Sequence, residues 1–180
     1  MAIWNVDTAH SNVGFTAKHM MFTTVRGKFE DFAATIEFDP ANPGDASVNA
    51  TIQVASVNTG VGDRDNHLRS ADFFDAANYP ELTFTSTRVE PTSDTEATVY
   101  GDLTIRGTTR EVALDVTFLG EGTNPWGQQV GGFTASTKIN REDFGLTWNQ
   151  ALETGGVLVS KEIKIELELQ AAKVTEGTPA

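Results

Sequence analysis

The chain has 180 residues, 39% of them hydrophobic and 21% charged, a composition typical of one soluble globular domain. Its formal net charge of −12, from 13 Lys and Arg against 25 Asp and Glu, argues against nucleic acid or an anionic membrane surface as the main partner. Cysteine is absent, which excludes disulfides and Cys-ligated zinc, and no apolar run is long enough for a membrane-spanning helix. The N-terminus shows no basic region followed by an apolar one, so we expect a cytoplasmic location.

Alternation of apolar and polar residues is the dominant pattern along the chain. It extends over 11–19, 32–38, 48–54, 82–90, 97–105, 112–118, 130–139 and 163–169. A period of two residues is typical of strands with one buried and one exposed face. The pattern therefore predicts an all-β fold of eight antiparallel strands, and closing them into a β-barrel would leave no unpaired edge.

The segments between the predicted strands carry turn residues. Arg106-Gly107-Thr108 predicts a tight hairpin turn, and the Gly-rich run at 120–127 predicts a longer connection. There is no linker and no internal repeat, so we predict a single domain over 1–172. The aperiodic residues 173–180 predict a disordered tail.

One segment, 62–79, departs from the strand pattern and predicts a short helical insertion. Asp63 is a suitable N-cap residue, and Asp65 and Arg69 have the i, i+4 spacing of an ion pair. One face of this helix carries Arg64, His67 and Leu68.

The three histidines, His10, His19 and His67, show no spacing typical of a metal site. Ser11 beside His10 and Ser70 near His67 are Ser–His neighbours, but the chain has no nucleophile-elbow motif. We therefore predict neither a metal site nor a catalytic site.

Several polar residues in the first third of the chain are candidates to contact the head group of a ligand. They are His10, Lys18, His19, Arg26, Arg64, Asp65 and His67. Alternation places His19 on the same strand face as Val13 and Phe15. A polar residue at the end of an apolar face is either a hydrogen-bonded core residue or one that orients a ligand, and the pattern leaves both open.

Phenylalanine is abundant, with 11 Phe against 2 Tyr. Because Phe has a large apolar area and no polar group, a Phe-rich interior is either a filled core or an apolar pore. The candidate pore-lining residues are Phe15, Phe22, Phe32, Phe84, Phe118, Phe133, Phe144 and Trp148.

Five motifs follow one another along most of the chain. They are WNVDTAHS at 4–11, FTAKHM at 15–20, TGVGDRDNHLRSADFF at 59–74, GDLTIRG at 101–107 and NREDFGL at 140–146. Together these motifs resemble the YceI-like, or polyisoprenoid-binding, family. The resemblance implies a lipocalin-like barrel whose apolar pore holds an isoprenoid chain, and a homodimer. It implies no cofactor beyond the bound isoprenoid lipid. Many members carry a secretion signal, whereas we expect none here.

Three functions follow from these observations. The first is a non-enzymatic carrier, store or sensor of an isoprenoid quinone or prenyl phosphate. The second is a hydrolase or isomerase that acts on a prenyl substrate through His10, His19 and His67. The third is a barrel with a filled core that binds a protein partner.

Overall fold

The computed structural model describes residues 1–150, 152 and 158–175. In these residues the helix is α1 (Gly62–Arg69) and the strands are β1 (Ala2–Val6), β2 (Asn12–His19), β3 (Thr23–Phe29), β4 (Phe32–Phe38), β5 (Ser47–Gln53), β6 (Val57–Asn58), β7 (Glu81–Pro91), β8 (Glu96–Ile105), β9 (Thr108–Thr123), β10 (Gln129–Asn140) and β11 (Glu162–Lys173). Among the described residues, no helix has the length and apolar character needed to cross a membrane.

The strands form one closed antiparallel barrel. Neighbours are hydrogen-bonded in the order β1-β4-β5-β7-β8-β9-β10-β11, and β11 pairs back with β1, where Trp4 lies opposite Lys173. Closure pairs both edges of the sheet, so no long edge is left to template association with another chain. The predicted eight-stranded antiparallel barrel is confirmed.

Three of the eight barrel positions each contain two strand segments. β1 and β2 both pair with β11 on either side of a short turn at Thr8–His10, while β3 continues into β4 and β5 into β6. The eight predicted runs fall on β2, β4, β5 and β7 to β11, one in each position. The pattern missed the continuations β1, β3 and β6. In β3 the inward position between Val25 and Phe29 is Gly27, which hides the alternation.

The segments that join the strands follow the turn residues with shifted boundaries. Arg106 and Gly107 both have positive φ, of 49° and 72°, as a two-residue hairpin turn requires. β9 continues to Thr123, so the connection predicted at 120–127 is a shorter turn. β11 extends through Lys173, the first residue of the predicted tail, and residues 176–180 lie outside the described residues.

The helical insertion is confirmed, but two predicted details are wrong. Asp63 lies inside the first turn of α1 instead of at its N-cap. The carboxylate of Asp65 accepts hydrogen bonds from the backbone N–H and hydroxyl of Thr59. The guanidinium of Arg69 donates to backbone carbonyls of the segment 55–57, so the two side chains bind different partners instead of each other.

The barrel has two ends of different construction. We call the end that carries α1, residues 70–80 and residues 141–149 the helix end. The other end carries the connections 39–46, 92–95 and 124–128, and we call it the turn end. Because each strand alternates, one apolar row of every strand faces the interior between these two ends.

Candidate functional site

An elongated cavity of about 900 Å³ occupies the interior of the barrel. Its lining extends from Lys18 and Arg64 at the helix end to Pro43 and Thr95 at the turn end. The inward rows of the strands form its wall with Val, Leu, Ile, Ala and Phe side chains. A volume near the upper limit of small-molecule pockets has room for one extended apolar chain.

Seven of the eight predicted pore residues line this cavity. They are Phe15, Phe32, Phe84, Phe118, Phe133, Phe144 and Trp148. The prediction for Phe22 is wrong, because its side chain is 83% exposed. Phe22 follows two turn residues with positive φ, Met20 and Met21, and this turn places its ring outside the barrel.

Two glycines allow phenylalanine rings to lie flat against the wall. Gly27 of β3 lies directly opposite Phe15 of β2. Gly101 of β8 lies two residues from Leu103, the residue directly opposite Phe84 of β7. A Cβ atom added to either glycine would overlap the neighbouring ring. These glycines therefore keep both rings out of the centre of the cavity.

Four of the predicted head-group residues lie together at the helix end of the cavity. Lys18, His19, Arg64 and His67 all line it. The ammonium of Lys18 donates to the hydroxyl of Thr24 at 2.7 Å. The backbone of His19 forms a bridge with Val159. These groups present donors to the helix end of a cavity whose wall is apolar and whose turn end is lined by Ser93, Asp94, Thr95 and Glu96.

Thr59 anchors Arg64 and Asp65. The Arg64 guanidinium donates to the hydroxyl and carbonyl oxygens of Thr59, each at 2.7 Å. Asp65 accepts from the same hydroxyl at 2.6 Å and is only 8% exposed. Arg64 lines the cavity, whereas Asp65 is buried behind it and does not. Asp65 therefore fixes Thr59, which in turn holds the guanidinium of Arg64.

His67 lies in an aromatic setting at the same end. Its Nε2 is 2.9 Å from the Oδ2 of Asp72. Its ring makes edge-to-face contacts with Phe73 and Trp148, with centroid distances of 5.0 and 4.7 Å. Aspartate and the two rings fix the imidazole against the cavity wall.

Arg141 is a lining residue that the sequence reasoning did not single out. It is 4% exposed, and its guanidinium donates to the carbonyl oxygens of Leu146, Trp148, Val159 and Ser160 at 2.7 to 3.3 Å. Burial lowers the pKa of the guanidinium, and Glu142 partly offsets that shift. Among the described residues no carboxylate forms an ion pair with it. The NREDFGL motif contains this residue, but a strand pattern carries no signal for a buried cation.

His10 and Arg26, also predicted as head-group contacts, lie outside the cavity. His10 is exposed, and its Nδ1 is 2.7 Å from the Oδ2 of Asp7 at the break between β1 and β2. This hydrogen bond lowers the pKa of Asp7. Arg26 is exposed on the outer face of β3, because alternation turns it away from the inward positions of Val25 and Gly27.

Aromatic side chains narrow the cavity near the turn end. Phe38, Phe118 and Phe133 pack with centroid distances of 5.0 to 5.6 Å. Trp4, 1% exposed, lies in the same cluster and donates its indole N–H to the carbonyl of Phe38 at 3.2 Å. This cluster forms an aromatic layer of the cavity wall near the turn end, which we call the apolar base, and the lining continues past it to residues 93–96.

The Ser–His neighbours of the sequence do not form catalytic pairs in the described residues. The hydroxyl of Ser70 donates to the backbone carbonyl of His67 at 2.6 Å, and that of Ser11 donates to the carbonyl of Gln170. Within the part of the chain that the structure describes, no three His, Cys, Asp or Glu side chains are grouped to hold a metal.

Comparison with known proteins identifies the family. Residues 4–171 match the family model of the YceI-like domain. A UPF0312 protein of Staphylococcus epidermidis is 43% identical over 167 residues, which cover 92% of this chain and 95% of that protein. Both matches extend over nearly the whole barrel.

Two solved structures share the architecture. The crystal structure of Burkholderia cenocepacia BcnA has a TM-score of 0.81 and 31% identity, over 92% of this chain and 98% of that one. A polyisoprenoid binding domain from Saccharophagus degradans has a TM-score of 0.66 over 95% and 98% of the two chains, and at 15% identity it supports the fold alone. Because the family model and a close relative both cover the barrel, this chain belongs to the YceI-like family.

Proposed function

We propose that the barrel binds one isoprenoid lipid, an isoprenoid quinone or a prenyl phosphate, and serves as its carrier, store or sensor. The observation that carries this proposal is the 900 Å³ cavity, apolar along its wall and lined at the helix end by polar side chains. A filled core, the third hypothesis from the sequence, has no need of such a space. The Saccharophagus degradans barrel, which shares the fold, is described as a polyisoprenoid binding domain, and extending that ligand class to this chain is part of the proposal.

The wall supplies the affinity for the chain. Each buried methylene contributes about 0.8 kcal/mol, so a ten-carbon segment contributes about 8 kcal/mol before the cost of association is subtracted. The flat rings of Phe15 and Phe84 leave the centre of the barrel free for that chain. The apolar base around Phe38 favours the end of the chain that lacks a polar group.

The helix end supplies the orientation. Lys18 and Arg64 are donors without acceptor capacity, and both line the cavity there. Arg141 adds positive charge at the same end, although its guanidinium already donates to four carbonyl oxygens. A quinone carbonyl or a prenyl phosphate offers acceptor oxygens to such donors, and the phosphate adds charge complementarity. We therefore place the head group at the helix end and the tail towards the turn end.

Native mass spectrometry of the freshly purified protein, followed by solvent extraction and lipid identification, tests the proposal. We expect a stoichiometric isoprenoid, released on denaturation. A barrel of bare polypeptide mass that stays empty after incubation with quinones and prenyl phosphates would refute it. The same spectrum gives the oligomeric state and so tests the expected homodimer.

A matched pair of variants locates the ligand. Ala135 lines the cavity and is 7% exposed, whereas Ala113 is on the exposed face of β9. Ala135→Phe fills the lumen, and we expect the bound isoprenoid to be lost. Ala113→Phe adds the same ring outside and should retain the ligand. Equal retention in both variants would exclude the lumen as the site.

Catalysis on a prenyl substrate is the second candidate, and His67 between Asp72 and Trp148 is the group that favours it. We propose binding without turnover, because the hydroxyls of Ser70 and Ser11 donate to backbone carbonyls. Incubation with prenyl phosphates and assay of phosphate release and chain isomers distinguishes the two. Turnover that disappears in His67→Ala would establish the enzyme.

A further inference from the structure

The turn between β2 and β3 exposes three consecutive apolar side chains. Met20, Met21 and Phe22 are 42%, 62% and 83% exposed. They follow directly after Lys18 and His19, which line the helix end of the cavity. Val61, 47% exposed, lines the cavity at the same end. A contiguous exposed apolar group marks an interaction surface more often than isolated exposed residues do.

The backbone of this turn is strained for the residues it carries. The N–H of Phe22 donates to the carbonyl of His19, and the two central residues, Met20 and Met21, have φ of 50° and 67°. Asn-Gly is the sequence that favours such a turn. The β8–β9 turn follows that preference with Gly107 at its second central position. Strained backbone conformations occur most often at functional sites. Two methionines in this conformation therefore point to a function for their side chains.

The β2–β3 hairpin is positively charged, whereas the chain as a whole is acidic. Residues 8–29 contain Lys18, Arg26 and Lys28 and no Asp or Glu, in a chain whose net charge is −12. Lys28 pairs with Glu30, whereas no carboxylate of the described residues forms an ion pair with Lys18. Salt screens exposed charges beyond about 10 Å at 0.1 M. A surface that touches the tip therefore interacts more strongly with the charges of the hairpin than with the distant charges that make up the net charge.

We propose that the tip Met20–Phe22 inserts into the interfacial layer of a lipid bilayer containing anionic phospholipids, beside the mouth of the cavity. The apolar side chains enter the acyl boundary, and Lys18 meets the phosphates. This contact places the mouth against the layer in which an isoprenoid lipid resides. The exchange role rests on the proposed lipid binding, whereas the docking itself does not.

The turn end provides the control, since it also exposes an aromatic ring. Trp126 is 86% exposed in the turn that follows β9. The connections there, residues 39–47, 90–96 and 119–129, contain no Lys or Arg and six Asp or Glu in all: Asp39, Asp45, Glu90, Asp94, Glu96 and Glu121. A bilayer pressed on these connections meets acidic residues, whereas one pressed on the hairpin tip meets Lys18 and no carboxylate of residues 8–29. The two rings therefore differ in local charge and not in exposure.

The experiment is co-flotation of the full chain with phosphatidylcholine vesicles, with and without about 30% phosphatidylglycerol. We expect the protein to float with the mixed vesicles and to be released as salt rises. Phe22→Ser should lower partitioning about tenfold or more, and Trp126→Ser should change it less than about twofold. Both positions are exposed, and circular dichroism checks that each variant folds.

Three results would overturn the docking proposal: no flotation of the parent protein, equal flotation of Phe22→Ser, or an equal loss in Trp126→Ser. A parent dimer that does not float and that Phe22→Ser dissociates would show that the tip binds a second copy instead. Solvent extraction of lipid from Phe22→Ser separates docking from lumen binding. If Phe22→Ser retains the isoprenoid but no longer floats, the docking proposal is supported. If the parent protein floats but contains no isoprenoid, docking stands and the proposed function is rejected.

Discussion

The two ends of the barrel are stabilised by different physics. At the turn end, Trp4 and Phe38 pack into an aromatic base beneath acidic connections. At the helix end, Arg141 holds the segments that cross the opening through hydrogen bonds to four carbonyl oxygens. Burying apolar side chains leaves no polar group without a hydrogen-bond partner. A buried cation, in contrast, is tolerated only when its N–H donors are hydrogen-bonded. The contrast gives the cavity a direction, with cationic donors at the helix end and an aromatic wall near the turn end, where the lining also includes Asp94 and Glu96.

Removing the indole of Trp4 should have the largest effect on this comparison. Trp4→Ala deletes a ring that is 1% exposed and leaves a cavity in the base, so we expect the free energy of unfolding to fall by about 3–5 kcal/mol. Urea denaturation measures it. Trp126→Ala, at a position 86% exposed, should stay within about 0.5 kcal/mol. Equal losses would mean that the base does not depend on packing.

Arg141→Met tests the opposite end with a change of similar volume. It leaves backbone carbonyls, including those of Leu146 and Trp148, without their charged donor, so we expect a loss of about 3 kcal/mol. Arg110→Met is the control, because exposed Arg110 donates one hydrogen bond to the carbonyl of Asp143. It should cost about 0.5 kcal/mol. Hydrogen exchange should show new opening at 141–149 in the first variant alone, and protection unchanged there would contradict this role.

Gly101→Ala should affect the space between the two ends. The added Cβ displaces the ring of Phe84 into the lumen, so we expect overpacking to cost about 1–3 kcal/mol and ligand retention to fall. Gly122→Ala on the same sheet meets no atom within 4 Å and should be neutral for both. Isoprenoid content and urea denaturation of the two variants check the difference. Full retention in Gly101→Ala would show that the ligand does not extend past Phe84.

The smallest effect is expected at the break between β1 and β2. The hydrogen bond from His10 lowers the pKa of Asp7, so this carboxylate stabilises the fold fully above its ordinary pKa of about 3.9 and less as the pH falls through the lowered value. The side chain is 37% exposed, and solvent screening therefore keeps the contribution near 0.5 kcal/mol. Asp7→Asn should be destabilised at pH 7 and indistinguishable from the parent near pH 2.

A variant of His10 tests whether this contact between β1 and β2 affects ligand binding. His10→Ala should retain the isoprenoid, because His10 lies outside the cavity. Lipid extraction of this variant beside His67→Ala makes the comparison. Loss of ligand in His10→Ala alone would return that histidine to the binding site.

The strand pattern of the sequence predicted every barrel position and most of the cavity wall. Period-two alternation is a local property, and residues such as Val13, Phe15, Phe84 and Phe133 follow it inward. The turn at Arg106 and Gly107 was likewise predicted from adjacent residues alone. Family-like motifs extended the prediction to lipid binding, which stays a proposal.

The tertiary structure decided what alternation cannot specify. Phe22 lies outside because a turn with two positive-φ residues intervenes, and His10 and Arg26 are directed away from the lumen although they adjoin inward strands. Arg141 became visible only when carbonyls from the segments 146–148 and 159–160 converged on it. Residues distant in sequence meet through barrel closure, and no local period records such a meeting. The sequence by itself therefore determined the wall of the barrel, and the closed fold determined its polar end.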